Sequence, residues 1–298
     1  MSAEAYASLL ENCGHRVVRT ASGWWYEAHP HWYLGIPFHA ELTPSATELR
    51  EVFEAGAWVL RHTCPPSAGR RSYRSACADP DYALSTLSST ARRATRRGLE
   101  RCTVRRISFR DLERHGGLEL SRSTLVRQKR TVPADHDRYW RRHYEAAEQS
   151  GYAECWGAFV GDRLAAFLIA VTIHDCVYLP VLKSSSEQLA EYPNNALVYT
   201  LTRDALDRPG VAEVSWGLES LLPSLDGLER FKRGMGFEHR PIGQRIEMTR
   251  WLSSTVRGPA TWAARGLVAR GGGGQLVNRA AATLTWYASQ PRRVATGR

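Results

Sequence analysis

Residues 153–182 read AECWGAFVGDRLAAFLIAVTIHDCVYLPVL, and the three apolar runs in this stretch decide the fold. Ala153 to Val160, Leu164 to His174 and Cys176 to Leu182 have strand length and are rich in β-branched and aromatic residues. The two-residue Gly161-Asp162 break between the first two is a hairpin signal. Downstream the period changes. Asn195 to Leu206 predicts a helix broken by Pro209-Gly210, and Val211 to Leu218 predicts a buried strand. A loop holding Pro223, a short helix from Asp226 to Gly234 and a strand from Ile242 to Trp251 complete the series. The order β-β-β-α-β-α-β describes a mixed sheet flanked by helices, an α/β (α+β) fold.

Upstream, Ser2 to Cys13 reads as a short helix, and His15 to Thr20 and Gly23 to Ala28 as strands split by a Ser22-Gly23 turn. His31 to Pro37 is aromatic and extended. Thr43, Ser45 and Thr47 offer caps for a helix that runs to about Ala55 and is ended by Gly56. Ala57 to His62 is a buried strand, followed by a polar loop from Pro65 to Arg74. Tyr82, Leu84 and Leu87 alternate as an edge strand or turn, and Ser88-Ser89 caps an Arg-rich helix, Ala91 to Arg101. Cys102 to Ile107 is a strand, a helix begins near Ser108 or Arg110, and Asp135 caps another, Tyr139 to Ser150.

At 298 residues and 43% hydrophobic content the chain is long enough to bury a substantial core in one large domain or two ordinary ones. No run approaches the ~18 apolar residues of a membrane span. The first 25 residues carry Glu4, Glu11 and Cys13, so a cytoplasmic protein is expected. The six cysteines form no C-x-x-C pair, which argues against zinc ribbons and redox motifs. His29 and His31, set among Trp24, Trp25, Trp32 and Tyr33, lack a third metal ligand and read as packing.

Charge is uneven. Of the net +10, residues 253–298 contribute seven Arg without an acid, and Arg92 to Arg110 holds eight Arg against Glu100. Such runs suit an anionic partner, whether CoA, RNA or an acidic lipid surface, and are otherwise solvated faces. The tail beyond Trp251 fits two amphipathic helices split by Gly271 to Gly274, which dock on the body or lie peripherally on an anionic membrane, or else a flexible, disordered tail.

The residues that bear on chemistry cluster around one helix start, Tyr192-Pro193-Asn194-Asn195. Main-chain amides at a helix N-terminus hold pyrophosphate, and three antiparallel strands leading into such a helix align a thioester with an amine. Glu219 follows a strand, where a carboxylate takes an ammonium proton or simply pairs with an Arg. Tyr192 and His174 lie at other strand ends and loops, His174 in a hairpin turn.

The run Leu225-Asp226-Gly227-Leu228-Glu229-Arg230-Phe231-Lys232-Arg233-Gly234-Met235-Gly236-Phe237, the strand Val211 to Gly217 and the Pro193-Asn194-Asn195 helix start resemble the GNAT-type domain of FemAB-like proteins. Ser88, Arg92-Arg93 and Arg96-Arg97-Gly98 resemble the helix that opens the second domain in that group. The resemblance covers about residues 57–251. It implies two tandem GNAT-like units with the first reduced, here 1–88 and 89–252, ahead of a basic tail, 253–298. It implies an N-acyltransferase that moves an acyl group, acetyl above all, from acyl-CoA to an amine of a sugar or small-molecule acceptor by direct attack. A Fem-like peptidyl transferase using aminoacyl-tRNA and a catalytically silent binding protein are the alternatives. Carried onto this chain, Asn194, Asn195, Phe231 and Lys232 face the donor, while Arg127, Arg130 and Trp216 face the acceptor. Glu219 and Tyr192 handle the proton, and no metal is required. One departure stands out: in place of a glycine-rich Q/R-x-x-G-x-G/A loop the chain has Ser184-Ser185-Ser186-Glu187-Gln188 before the helix.

Overall fold

The computed structural model of the protein describes residues 2–221, 226–255 and 275–291. In chain order its elements are α1 (Ala3–Asn12), β1 (Val17–Thr20), β2 (Gly23–His29), β3 (Trp32–Ile36), α2 (Ala46–Glu54), β4 (Val59–Cys64) and β5 (Arg70–Cys77). Then come α3 (Ser89–Arg101), β6 (Thr103–Ile107), α4 (Phe109–Arg114), α5 (Gly117–Arg127), α6 (His136–Ser150), β7 (Ala153–Val160), β8 (Arg163–Ile173) and β9 (Cys176–Ser184). The chain continues through α7 (Pro193–Leu206), β10 (Glu213–Leu218), α8 (Asp226–Gly234), β11 (Glu238–Met248), α9 (Arg250–Thr255) and α10 (Gln275–Ser289). From β7 to β11 the order is the expected one.

These elements form two compact units. The first comprises residues 2–14, 75–217 and 226–238, and the second the remaining described residues. In the first, β10-β9-β8-β7-β6 lie side by side, antiparallel except for the parallel pair β9 and β10. One sheet face carries Trp156, Leu168, Val177 and Leu179 into a core with Leu197 and Leu201 of α7. On the other, Tyr144 of α6 meets Phe167 of β8 edge to face. Alternation of side chains along each strand produces this two-sided burial. The Met235 side chain seats α8, since its sulfur accepts from Thr95 of α3 and Asn195 of α7 while its carbonyl accepts from the Tyr82 hydroxyl at 2.9 Å.

In the second unit the strand order is β1-β2-β3-β4-β11-β5. Trp25, Tyr33 and Leu60 pack beneath Leu49 and Val52 of α2. Helix α2 begins in a capping box, with the Ser45 hydroxyl accepting from Glu48 N–H and the Glu48 carboxylate accepting from Ser45 N–H. Of the basic tail, α10 docks on this unit. Trp286 is 3% exposed among Val59, Ile246 and Met248, and the Gln290 amide brackets the main-chain N–H and C=O of Ile246 at 2.9 and 2.6 Å. Residues 256–274 of the expected tail lie outside the described residues.

One upstream expectation is corrected. The loop foreseen at Pro65 to Arg74 is in part strand, because β5 begins at Arg70 and pairs beside β11. Its first five residues, Arg70-Arg71-Ser72-Tyr73-Arg74, show no apolar alternation, and neighbouring strands rather than propensity hold them extended. Between Tyr82 and Leu87, expected as an edge strand or a turn, the chain makes the turn, a 3-10 turn at Leu84–Thr86.

Candidate active site

Strand β9 creates the opening in the first unit. Its parallel register with β10 runs from Cys176↔Glu213 to Tyr178↔Ser215 and goes no further, although β9 continues to Ser184. Against β8, the steps Val171↔Tyr178 and Ile169↔Val181 set two residues of β8 against three of β9, a bulge that contains Pro180. Proline has no N–H for a ladder, so an exposed Pro180 suits the point where pairing stops. Gly217, at φ +92°, turns β10 away from the shared direction, a conformation that a residue with a Cβ resists. The two strands therefore part, and the main chain of β9 beyond Tyr178 faces the gap unpaired by β10.

Helix α7 starts at the end of this gap. Tyr192 is its cap, held in the left-handed region at φ 56°, and Pro193 occupies the first turn, where no intrahelical N–H is needed. Three side chains from two helices converge on Ser184, the last residue of β9. The Thr124 hydroxyl of α5 accepts from Ser184 N–H at 3.1 Å and donates to its carbonyl at 3.2 Å. Arg127 donates to the same carbonyl and to the Ser184 hydroxyl, both at 3.1 Å, and to the Ser186 hydroxyl at 3.4 Å. The Asn194 amide donates to the Ser184 hydroxyl at 3.3 Å, and its buried Oδ1 has no protein partner among the described residues. Burial weighs against the charged form of Arg127 and lowers its pKa. Helix α3 closes on this start at Gly98, where a Cβ would lie 2.6 Å from the Tyr192 carbonyl oxygen.

The arrangement gathers an Arg, hydroxyl groups and a helix N-terminus at the end of a split in a sheet. Such a cluster binds anionic oxygens, and the adjacent strand edge offers main-chain partners to an extended ligand.

The structure brings Arg127, Tyr192 and Asn194 together. Arg130 stands beyond the end of α5 and donates to Gln128 at 3.3 Å. Asn195 turns its amide to the Met235 sulfur, a packing contact. Lys232 is 5% exposed and pairs with Glu229 at 2.8 Å. Phe231 and Phe237 meet the Trp216 ring edge to face at the rim of the core. His174 is exposed in the β8–β9 turn.

Glu219 belongs to the second unit. Its carboxylate accepts from the Ser72 hydroxyl at 2.6 Å, Ser72 accepts from the Gln244 amide at 2.6 Å, and Arg61 donates to Gln244 Oε1 and to the Glu219 carbonyl. Burial lowers the pKa of Arg61, and the neighbouring Glu219 charge works the other way. Sequence reading missed Ser72, Thr124 and Gln244. Their partners are distant in the chain, and the Ser184-Ser185-Ser186 run was the one local signal near the helix start.

A protein-family model described as an acetyltransferase (GNAT) domain matches residues 84–233, half of the chain. The protein belongs to the GNAT acetyltransferase-domain family. This GNAT protein is an acyltransferase, and the parted β9 and β10 with the α7 start lie within the residues that the family match spans. Among solved structures it is similar to FemX, at 12% identity and TM-score 0.56 over 85% of this chain and 93% of FemX. It is also similar to L-PGS from Bacillus licheniformis, at 11% identity and TM-score 0.52 over 84% of this chain and 89% of that one. A conserved protein of unknown function from Bacteroides thetaiotaomicron aligns at 11% identity and TM-score 0.53 over 83% and 90%. At these identities the likeness is one of fold. No curated protein sequence matches the chain.

Proposed function

We propose that the protein is an N-acyltransferase that moves an acyl group, acetyl above all, from acyl-CoA to the amine of a sugar or small-molecule acceptor. The observation that carries this reading is the convergence of Arg127, Asn194 and the α7 start on Ser184, at the end of the gap between β9 and β10. Arg127, expected to face the acceptor, is given to the donor in this reading: donor phosphate oxygens are held there by the α7 amides and Arg127, and the pantetheine arm lies along the unpaired edge of β9. The neutral amine attacks the thioester carbon directly: the C–N bond forms, the C–S bond breaks, coenzyme A leaves as the thiolate, and the proton lost from nitrogen is passed on to it. Alignment supplies most of the rate, because a correctly held pair escapes the entropic cost of encounter. Tyr192, whose side chain is half-buried beside the helix start, is the proton carrier in this reading.

A second reading has one observation in its favour. Arg93, Arg96, Arg97 and Arg101 of α3 and Arg105 and Arg106 of β6 are exposed, a basic strip suited to RNA phosphates, and the Fem-type resemblance implies an aminoacyl-tRNA donor. Thermal shift separates the two. A donor at about 100 times its dissociation constant stabilises the fold by about 2.7 kcal/mol. Acetyl-CoA that raises the melting temperature supports the first reading. Aminoacyl-tRNA that does so while no acyl-CoA acts overturns it in favour of the second.

A further inference from the structure

The chain has only three lysines, Lys129, Lys183 and Lys232, against 37 arginines. Two of them are withdrawn from water, and they differ in one respect. Lys232 is paired with Glu229. Lys183, half-buried on β9, has no carboxylate partner among the described residues. Its ammonium lies 5.5 Å from the centroid of the Trp140 ring on α6. Burial first, and then the Arg130 charge, hold its pKa below the ordinary lysine range.

The setting is fixed by the sheet. Lys183 stands directly across from Phe167 of β8, so both side chains share one face. Trp140 and Tyr144 are four residues apart on α6 and cover that face together, Tyr144 over Phe167 and Trp140 over Lys183. Arg127 ends α5 and Arg130 lies three residues beyond it, and they donate to hydroxyl, carbonyl and amide oxygens. Three cations thus stand near the end of β9 with no acid among their partners. The C-terminus of α5 offsets part of this, but a helix end amounts to only about half a charge. A cation taken from water without a counter-charge is costly, and cation–π contact with Trp140 recovers only part of that cost.

We propose that Lys183 and Arg130, against the Trp140 ring, form a binding site for an anionic oxygen group, phosphate or carboxylate, carried by the acyl acceptor. This rests on the acyl-transfer reading for calling the bound molecule the acceptor. The anion site itself stands on Lys183, Arg130 and Trp140 alone.

The small number of lysines makes the test clean. The full-length protein is trace-labelled with acetic anhydride, and modification of each lysine is read by mass spectrometry in inorganic phosphate, in acetate and in chloride at equal ionic strength. Exposed Lys129 and the N-terminal amine serve as references. At about ten times its dissociation constant, phosphate should slow labelling of Lys183 about tenfold relative to chloride, as occupancy alone requires. Acetate as the better protector assigns a carboxylate, and phosphate a phosphoryl group. Arg130→Gln should raise the protecting concentration about tenfold. Equal labelling in all three salts, or protection that Arg130→Gln leaves unchanged, overturns the site.

Coenzyme A added to the same samples separates this result from the donor reading. Phosphate protection that persists under saturating coenzyme A is the result expected. Coenzyme A that itself protects Lys183 and competes with phosphate makes the anion the donor's and overturns the acceptor assignment. Phosphate protection in a protein that coenzyme A does not bind leaves the anion site standing and removes the donor reading.

Discussion

Arg127 and Ser184 are joined twice, the guanidinium donating to the carbonyl and to the hydroxyl of Ser184, each at 3.1 Å. The bonds tie the end of α5 to the end of β9 and leave other guanidinium N–H groups facing solvent, since Arg127 is exposed. In the proposed reading these donors meet the donor phosphates. Arg127→Met should therefore raise KM for acetyl-CoA about tenfold, the loss of one charge-assisted hydrogen bond. Because the side chain is at the surface, the melting temperature should move little. Steady-state kinetics with a parallel thermal melt checks both, and an unchanged KM removes Arg127 from the donor site.

Tyr192 is a left-handed cap with a half-buried side chain. Tyr192→Phe keeps the ring and deletes the hydroxyl. If the hydroxyl carries the proton, kcat should fall about 100-fold, the usual range for a general acid or base, with acetyl-CoA affinity preserved. A variant with normal kcat would show that the residue serves only to start the helix.

Gly98 tests the packing beneath the site. A methyl group there would lie 2.6 Å from the Tyr192 carbonyl and 3.1 Å from Ala196 Cβ, so α3 and α7 must separate. Gly98→Ala should cost about 1–3 kcal/mol by overpacking, measured by urea denaturation, and should weaken acetyl-CoA binding through the displaced helix start. Full stability would mean that the helices yield without cost.

How much of this was legible beforehand follows from the range of each interaction. Strands β7 to β9 and helix α8 are local patterns, and the sequence displays their periods in full. The Gly161-Asp162 turn and the Pro193 helix start are likewise written within a few residues. Strand β5 was not legible, because Arg70-Arg71-Ser72-Tyr73 is extended only beside β11, far along the chain. The Ser184 hub is similar: Thr124 and Arg127 reach it from 60 and 57 residues away. The Glu219 network needs Ser72 and Gln244, which are separated by 172 residues. A family signature points to Lys232, whereas the Lys232–Glu229 ion pair shows its charge already matched. Lys183 carries no signature, and only the sheet register reveals that it lacks a counter-charge.

The capping box gives a pH prediction. Glu48 experiences burial, which raises its pKa, but main-chain amides of Ser45 and Ser22 outweigh that and bring it down to about 2. A carboxylate with a folded pKa below its unfolded one adds stability above about pH 4.5, and the contribution disappears as pH falls toward 2. Glu48→Gln should therefore lower the melting temperature at pH 7 and converge with the wild type in acid. A gap that stays constant with pH would place the effect in packing instead.

The central claim is that the start of α7 and the end of β9 bind the acyl-CoA donor, and amide hydrogen exchange tests it most directly. Exchange is followed with and without acetyl-CoA, in the wild type and in Arg127→Met. The account predicts slowed exchange over residues 179–196 on adding acetyl-CoA, with higher concentrations needed in the variant. Unchanged exchange there, with acetyl-CoA shown to bind by calorimetry, would contradict it.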